Sequence, residues 1–225
     1  MNLLALETSS SVGSVAIETP AGVVVRDLKT PREQTEQIIA LTDELLRDAG
    51  IGLRELDGIA FGRGPGSFTG LRVSVAVAQG LAAVDGVPLL AVSSLLCLAQ
   101  RAWREHGCER TLVCVDAHMG EVYWARAAVR DGVVGIGGDE RLAAPNDVEL
   151  PSGTSYCAAG NGLAAHAAAL AQIVSGAERV FADLTPSAID LLPQAKRDLE
   201  AGRVLAAAAA LPVYLREHTA WRRSS

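Results

Sequence analysis

The residues best placed to do chemistry are a glycine-rich loop, two acidic strand ends and a scatter of histidines and cysteines. The loop runs Gly62-Arg63-Gly64-Pro65-Gly66-Ser67-Phe68-Thr69-Gly70 and feeds an apolar helical stretch. Glycines at alternate positions permit sharp turns, and the free N–H groups of a helix N-terminus favour an anion. The loop lacks the Gly-Lys-Ser/Thr of a Walker A motif and the GxGxxG of a dinucleotide fold, so a structural strand-to-helix turn stands beside the anion-binding reading. Glu7-Thr8-Ser9 and Asp116 fall at the ends of strand-like segments, where sheet proteins place ligand-binding groups. A phosphotransferase would use two such acids to hold Mg²⁺ and orient water. No general base or phosphate-clamping lysine accompanies them, since Lys29 and Lys196 lie outside any motif. A polar turn at Thr8 to Ser11 is therefore the favoured reading.

The remaining candidates are weaker. His106, His118, His166 and His218 show no HExxH or other two-ligand helical spacing, which argues against a metal site. His118-Met119-Gly120-Glu121 could bring an imidazole to a carboxylate across a turn. Cys97, Cys108, Cys114 and Cys157 form no CxxC pair, so they read as buried free thiols rather than a disulfide framework or zinc site. No serine lies in GxSxG and no cysteine has an identifiable histidine partner. Arg216, Arg222 and Arg223 read as a solvated basic tail, with an RNA contact in an assembled complex the less favoured reading.

The elements that must position these residues follow from periodicity and punctuation. Leu3 to Leu6, Val12 to Ile17 and Val23 to Leu28 predict an antiparallel meander. Thr30-Pro31-Arg32-Glu33 predicts a capped helix start, with Glu33 reaching back to the cap. Ile38, Leu41, Leu45 and Ala49 form its core stripe and Gly50 its left-handed cap. A strand at Gly58 to Phe61, a helix from Leu71 to about Val84, a strand at Pro88 to Val92 and a helix from Ser93 or Ser94 to near Gly107 follow. The second half repeats the scheme: strands at Thr111 to Val115, Glu121 to Val129 and Val133 to Ile136, an ill-defined segment at Pro145 to Pro151, and a strand at Tyr156 to Ala159. A helix from about Leu163 to Val174, a strand at Arg179 to Ala182 and a capped helix start at Thr185-Pro186 complete it. The expectation is an α/β fold of duplicated β-β-β-α-β-α units with mixed sheets, in two halves, 1–104 and 109–225.

The helix from Leu71 to Val84 is apolar nearly all round, with Arg72, Ser74 and Gln79 its strongly polar residues. It must be buried within the domain or covered by another protein, and Ile39, Thr42 and Leu46 add a second apolar stripe on the preceding helix. Composition narrows function further. Aromatics are 4% of the 225 residues, so the core is built from Ala, Val, Leu and Gly. Twenty basic against 26 acidic residues, with no basic stripe, exclude strong unaided nucleic-acid binding. The start MNLLALETSS lacks a signal-peptide pattern, and the longest apolar run, Val204 to Leu215, is too short to span a bilayer and holds Pro212. A cytoplasmic protein without a membrane role is expected.

Leu4-Ala5-Leu6-Glu7-Thr8-Ser9, Gly13-Ser14-Val15-Ala16, the block from Gly62 to Arg72, Val115-Asp116-Ala117, Gly120-Glu121-Val122-Tyr123, Gly160-Asn161-Gly162 and Pro212-Val213-Tyr214-Leu215-Arg216 span nearly the whole chain. In that order they resemble the family of dimerisation subunits of the bacterial tRNA threonylcarbamoyladenosine synthase, the TsaB or YeaZ family. The resemblance implies an actin-like and sugar-kinase (ribonuclease H-like) fold. It also implies a non-catalytic subunit that binds no cofactor of its own and pairs with a catalytic paralogue, TsaD. TsaD transfers threonylcarbamoyl to the tRNA adenosine beside the anticodon, and an ATPase, TsaE, joins the pair. It implies tRNA contact only through the complex, homodimerisation when alone, and an interface drawing on Thr35, Ile39, Thr42, Leu46, Arg72, Val75 and Gln79. The chain departs from the family in having Gln34 where His is common, which bears on partner affinity or the ATPase contact, and His118 where Arg is common. The competing readings are an ATP-dependent phosphotransferase using Glu7 and Asp116, and a metallopeptidase-like protein, against which the missing ligand pair counts.

Overall fold

The computed structural model describes residues 1–151 and 155–216. Its first sheet is built from β1 (Leu3–Glu7), β2 (Gly13–Thr19), β3 (Gly22–Leu28), β4 (Gly58–Gly62) and β5 (Leu89–Val92), in the spatial order β3-β2-β1-β4-β5. The first three strands form the antiparallel meander, while β4 and β5 join in parallel through helical crossovers. The second sheet uses β6 (Arg110–His118), β7 (Glu121–Arg130), β8 (Val133–Ile136), β10 (Cys157–Ala159) and β11 (Arg179–Phe181), in the order β8-β7-β6-β10-β11. The order and the parallel and antiparallel pairings match those of the first sheet, so the duplication expected from the sequence is present strand for strand. A short β9 (Arg141–Ala143) pairs with β7 in addition.

Helices α1 (Pro31–Ala49) and α2 (Phe68–Asp85) cover the outer face of the first sheet, and α3 (Ser94–His106) lies between the two sheets. Alternation along the strands sets these layers. Leu4, Leu6, Ile59 and Phe61 face α1 and α2, whereas Leu3, Ala5 and Ala60 face α3. In the second sheet Val113, Ala125 and Ala159 face α3, while Leu112, Cys114 and Trp124 face outward onto α4 (Gly162–Ala165) and α5 (Ala171–Gly176). Both faces of each central strand are buried, which is why these strands read as nearly continuous apolar runs. Ala99 and Ala102 on α3, both fully buried, let the helix approach the sheets closely, consistent with an aromatic-poor core.

Caps fall largely as the sequence predicts. Thr30 accepts the Glu33 N–H, Pro31 opens α1, and Gly50 closes it in the left-handed region. Glu33 binds the Lys29 N–H rather than the cap residue itself. Ser93 caps α3 and Gly107 ends it. The differences are equally specific. Helix α2 starts at Phe68, inside the glycine-rich loop, because Ser67 accepts the Gly70 N–H and serves as N-cap. The helix expected over Leu163 to Val174 is two short helices, α4 and α5, with His166 in a non-helical cap conformation between them. No helix begins at Thr185-Pro186; Thr185 instead accepts hydrogen bonds from Arg101 through its carbonyl and hydroxyl. The next elements are a 3₁₀ turn, Ala188–Leu191, and α6 (Leu192–Glu200), whose first turn contains Pro193.

The chain after β11 returns to the first half. The 3₁₀ turn packs on β1, β2 and α3, Leu205 bridges to Leu89 of β5, and Val213 donates its N–H to Arg63 O. Cys108 and Cys157 form a disulfide, with Cα atoms 6.0 Å apart, while Cys97 and Cys114 are free. This corrects the expectation of four free thiols. The pairing is non-local, because it depends on the end of α3 meeting the start of β10, and irregular spacing in the sequence carries no trace of it. Among the described residues no helix is long and apolar enough to cross a membrane. His218, Arg222 and Arg223 lie outside the described residues.

Candidate functional site

Glu7 ends β1 fully buried. Its Oε1 accepts the Ser9 N–H at 2.6 Å and its Oε2 accepts the Ser94 hydroxyl at 3.2 Å. Ser94 is the first residue of α3, so the carboxylate sits at that helix's positive end. Burial pushes the Glu7 carboxyl above its ordinary range, against the hydrogen bonds from Ser9 and Ser94. The glycine-rich loop closes over this strand end. A Cβ on Gly62 would collide with the Glu7 carboxylate, and one on Gly70 with the Thr8 carbonyl oxygen. Thr8 Oγ1 donates to Gly70 O at 2.7 Å, and the Ser67 N–H donates to Ser9 O at 2.7 Å. The Gly70 and Leu71 N–H groups are taken by Ser67 Oγ and Ser67 O. The N–H groups of Arg63, Ser67, Gly70 and Leu71 thus serve internal partners, and the arrangement is a tightly packed strand-to-helix junction.

Asp116, the equivalent strand end on β6, is more open. His166 Nε2 lies 3.1 Å from its Oδ1, His118 Nδ1 lies 3.2 Å from its Oδ2, and Asn161 Oδ1 accepts the Asp116 N–H. Burial by itself would raise the Asp116 carboxyl. The hydrogen bonds from His166 and the His118 backbone, with the two imidazoles, outweigh it and hold the carboxyl below its ordinary range. The expected meeting of His118 with a carboxylate occurs, but with Asp116. His166 joins from 50 residues away, and no local pattern could have announced it. Among the described residues, no group of three or more His, Cys, Asp or Glu is arranged to hold a metal ion. Arg216 bonds the Ala117 and His118 carbonyls and pairs with Glu121 at 2.6 Å, so this part of the predicted solvated tail is docked on the β6–β7 turn.

The third candidate is the outer face formed by α1 and α2, which pack side by side. The seven expected interface residues do not all point outward. Thr35, Ile39 and Arg72 are exposed, Ile39 by 63%. Thr42, Leu46 and Val75 are buried, with Thr42 donating to Ile38 O. Gln79 is half-buried and donates to the carbonyls of Ala207 and Ala210, tying α2 to the returning C-terminal segment. Gln34 is buried and donates to Ser10 O, so the position that departs from the family pattern faces inward. What α2 does present to solvent is a stripe of small and apolar residues, Ala76, Gly80, Ala83 and Val84, with Val73 and Val77 half-buried beside it. At its N-terminal end Arg72 lies 3.8 Å over the Phe68 ring and donates to Tyr214 OH, with both aromatics exposed. No local pattern marks Phe68, in a glycine-rich loop, or Tyr214, in an apolar run, as surface residues; their rarity in an aromatic-poor chain is the signal the sequence offers.

Two mixed sheets of identical strand order enclosing a shared helical layer define the actin-like, ribonuclease H-like class. Residues 16–220 match the family described as TsaD: tRNA N6-adenosine threonylcarbamoyltransferase. The chain is 36% identical to the tRNA threonylcarbamoyladenosine biosynthesis protein TsaB of Escherichia coli, over 99% of this chain and 98% of that one. It is 31% identical to the protein of the same name from Haemophilus influenzae, over 99% and 97%. The solved structure of YeaZ from Pseudomonas aeruginosa superposes with a TM-score of 0.87 at 38% identity, covering 95% of this chain and all of that one. The chain belongs to the TsaB (YeaZ) family.

Proposed function

We infer that this chain acts in tRNA threonylcarbamoyladenosine biosynthesis as a non-catalytic subunit. It pairs with and activates the catalytic threonylcarbamoyltransferase TsaD through the outer face of α1 and α2, and the ATPase TsaE joins the pair. Both halves, 1–104 and 109–225, belong to this one scaffold, and tRNA is held by the assembly. The observation that carries the reading is the solvent-facing stripe of Ala76, Gly80, Ala83 and Val84 on an 18-residue helix, with Ile39 exposed on α1, the helix packed against it. Small residues let a partner helix approach closely, and an apolar stripe favours leaving water. The Phe68, Arg72 and Tyr214 group at its end has the composition of an interface anchor. The enclosure of Glu7 by its own chain counts against the phosphotransferase alternative.

The test is titration of the purified chain with a purified TsaD-type transferase by calorimetry. Pairing is expected, with Ile39→Asp and Ala83→Asp each weakening it about tenfold or more while leaving the unfolding midpoint close to wild type. Val75→Asp is unsuitable because that side chain is buried in the chain's own core. Absence of pairing, or wild-type affinity in both variants, would overturn the reading.

A further inference from the structure

The Cys108–Cys157 pair lies apart from every site described above. Cys108 directly follows the Gly107 cap of α3, and Cys157 opens β10. The bridge thus fastens the central helix to the outer part of the second sheet. Both cysteines are buried, while Gly107, Glu109 and Arg110 on either side of Cys108 and Arg179 and Val180 of the paired strand β11 are exposed. Strand β11 has three residues and stands at the sheet edge, the kind of element that opens locally at low cost.

The sulfurs have a cationic neighbour. Arg179 Nη2 lies 3.5 Å from Cys108 Sγ and 4.0 Å from Cys157 Sγ, and it also donates to the His106 carbonyl. A guanidinium beside a sulfur stabilises the thiolate, which is both the leaving group when a disulfide is attacked and the nucleophile when it re-forms. The two remaining cysteines contrast sharply. Burial, with Glu7 and Asp190 nearby, pushes the Cys97 thiol far up, and burial with Asp116 pushes Cys114 to about 12. Those two are inert packing residues.

We propose that Cys108 and Cys157 form a thiol–disulfide exchange site, opened and closed by a glutathione-class small thiol, with Arg179 holding the departing thiolate. A small thiolate attacks one sulfur, the S–S bond breaks, and the freed cysteine leaves as a thiolate beside Arg179. A second small thiol then attacks the mixed disulfide. In sum, the protein disulfide and two small thiols give two cysteine thiols and one small-molecule disulfide, so two electrons and two protons pass to the protein. Opening releases β10 and β11 from the end of α3 and leaves the α1 and α2 face untouched.

The full chain would be equilibrated natively with reduced and oxidised glutathione at fixed ratios, acid-quenched, alkylated under denaturing conditions and weighed. Two alkylated cysteines are expected after oxidised glutathione and four after millimolar reduced glutathione, interconverting reversibly. In Cys157→Ser no intramolecular bridge can form, so any Cys108 left unalkylated should carry the added mass of one glutathione. Arg179→Met should shift the equilibrium toward the disulfide about three- to tenfold at pH 8, and Arg179→Lys should restore it. The proposal is overturned if four thiols persist in oxidised glutathione, if the native bridge resists millimolar glutathione for hours, or if Arg179→Met leaves the equilibrium unmoved.

Discussion

Arg104 and Asp190 make an asymmetric ion pair whose two ends should respond differently to truncation. Asp190 has no side-chain exposure and receives two hydrogen bonds from Arg104, Nε to Oδ1 at 2.7 Å and Nη2 to Oδ2 at 2.8 Å. Arg104 is 38% exposed and has a second partner in Glu105 at 3.0 Å. Removing the arginine strands a buried carboxylate, a change worth about 3–4 kcal/mol at pH 7. Removing the aspartate lets the guanidinium turn to water and to Glu105, so Asp190→Ala should cost only about 1–2 kcal/mol. For a chain of this length that is about 10 °C in midpoint for Arg104→Ala and about 4 °C for Asp190→Ala. The sign of the pH effect follows from burial, which raises the Asp190 carboxyl above its ordinary range against the pull of Arg104. Without Arg104 it rises further, so the Arg104→Ala deficit should shrink as pH falls from 7 toward 4 and the stranded carboxyl takes up a proton. Urea unfolding of both variants across that range is the assay. An Asp190→Ala cost equal to or above that of Arg104→Ala, or an Arg104→Ala deficit independent of pH, would refute the reasoning.

Three further outcomes are expected. Gly70→Ala, whose Cβ would strike the Thr8 carbonyl, should cost about 3 kcal/mol or more or prevent soluble expression, whereas Gly80→Ala, with open space around it in the same helix, should stabilise by about 0.5–1 kcal/mol; denaturant midpoints compare them. Glu7→Gln keeps an acceptor for the Ser9 N–H and replaces the acceptor of the Ser94 hydroxyl with an N–H that donates to that hydroxyl. Because the folded carboxyl of Glu7 is raised, its contribution is present at acid pH and lost as pH rises through the folded value. The variant should therefore gain on wild type from pH 4 to 8, and a gain that shrinks with pH would sink this account. Asp116 has the opposite sign: its lowered carboxyl stabilises at neutral pH and loses that effect as pH falls through its folded value. The Asp116→Asn deficit should close on acidification, as pH-dependent unfolding would show.

How much of this was legible in the sequence depended on whether the determinant was local. Thr30, Pro31 and Gly50 specify the ends of α1 through their own backbone chemistry, and each stands where its residue type predicted. The turn between β7 and β8 is set locally in the same way, with Asp131 and Gly132 both in the left-handed region. Thr185-Pro186 carries the same helix-start signature and fails, because Arg101 engages the Thr185 carbonyl and hydroxyl. His166 beside Asp116, Cys108 beside Cys157 and Arg104 beside Asp190 are long-range meetings fixed by topology. The apolar character of α2 was visible, but its azimuth was not. The carried-over residues Val75, Thr42 and Leu46 turned out to face the chain's own core.

That azimuth connects the chemistry-like motif to the surface beside it. The loop from Gly62 to Gly70 has the composition of an anion cradle, yet its glycines let backbone meet backbone at the end of β1. Gly70 lies against the Thr8 carbonyl while Thr8 Oγ1 donates to the Gly70 carbonyl. Two such contacts in the first turn leave α2 little freedom to roll about its axis. With the roll fixed, Leu71, Val75, Ala78 and Ala82 must point inward and Ala76, Gly80 and Ala83 must point out. Among the described residues the second half has no α-helix corresponding to α1 between β8 and β10, and only the short α4 and α5 lie between β10 and β11. The duplicated sheets thus diverge in their outer layers: the first half carries two long helices seated by the glycine loop, and the second half, among the described residues, offers no comparable ridge. Loosening that seat is how a lesion in the loop would reach the α2 surface.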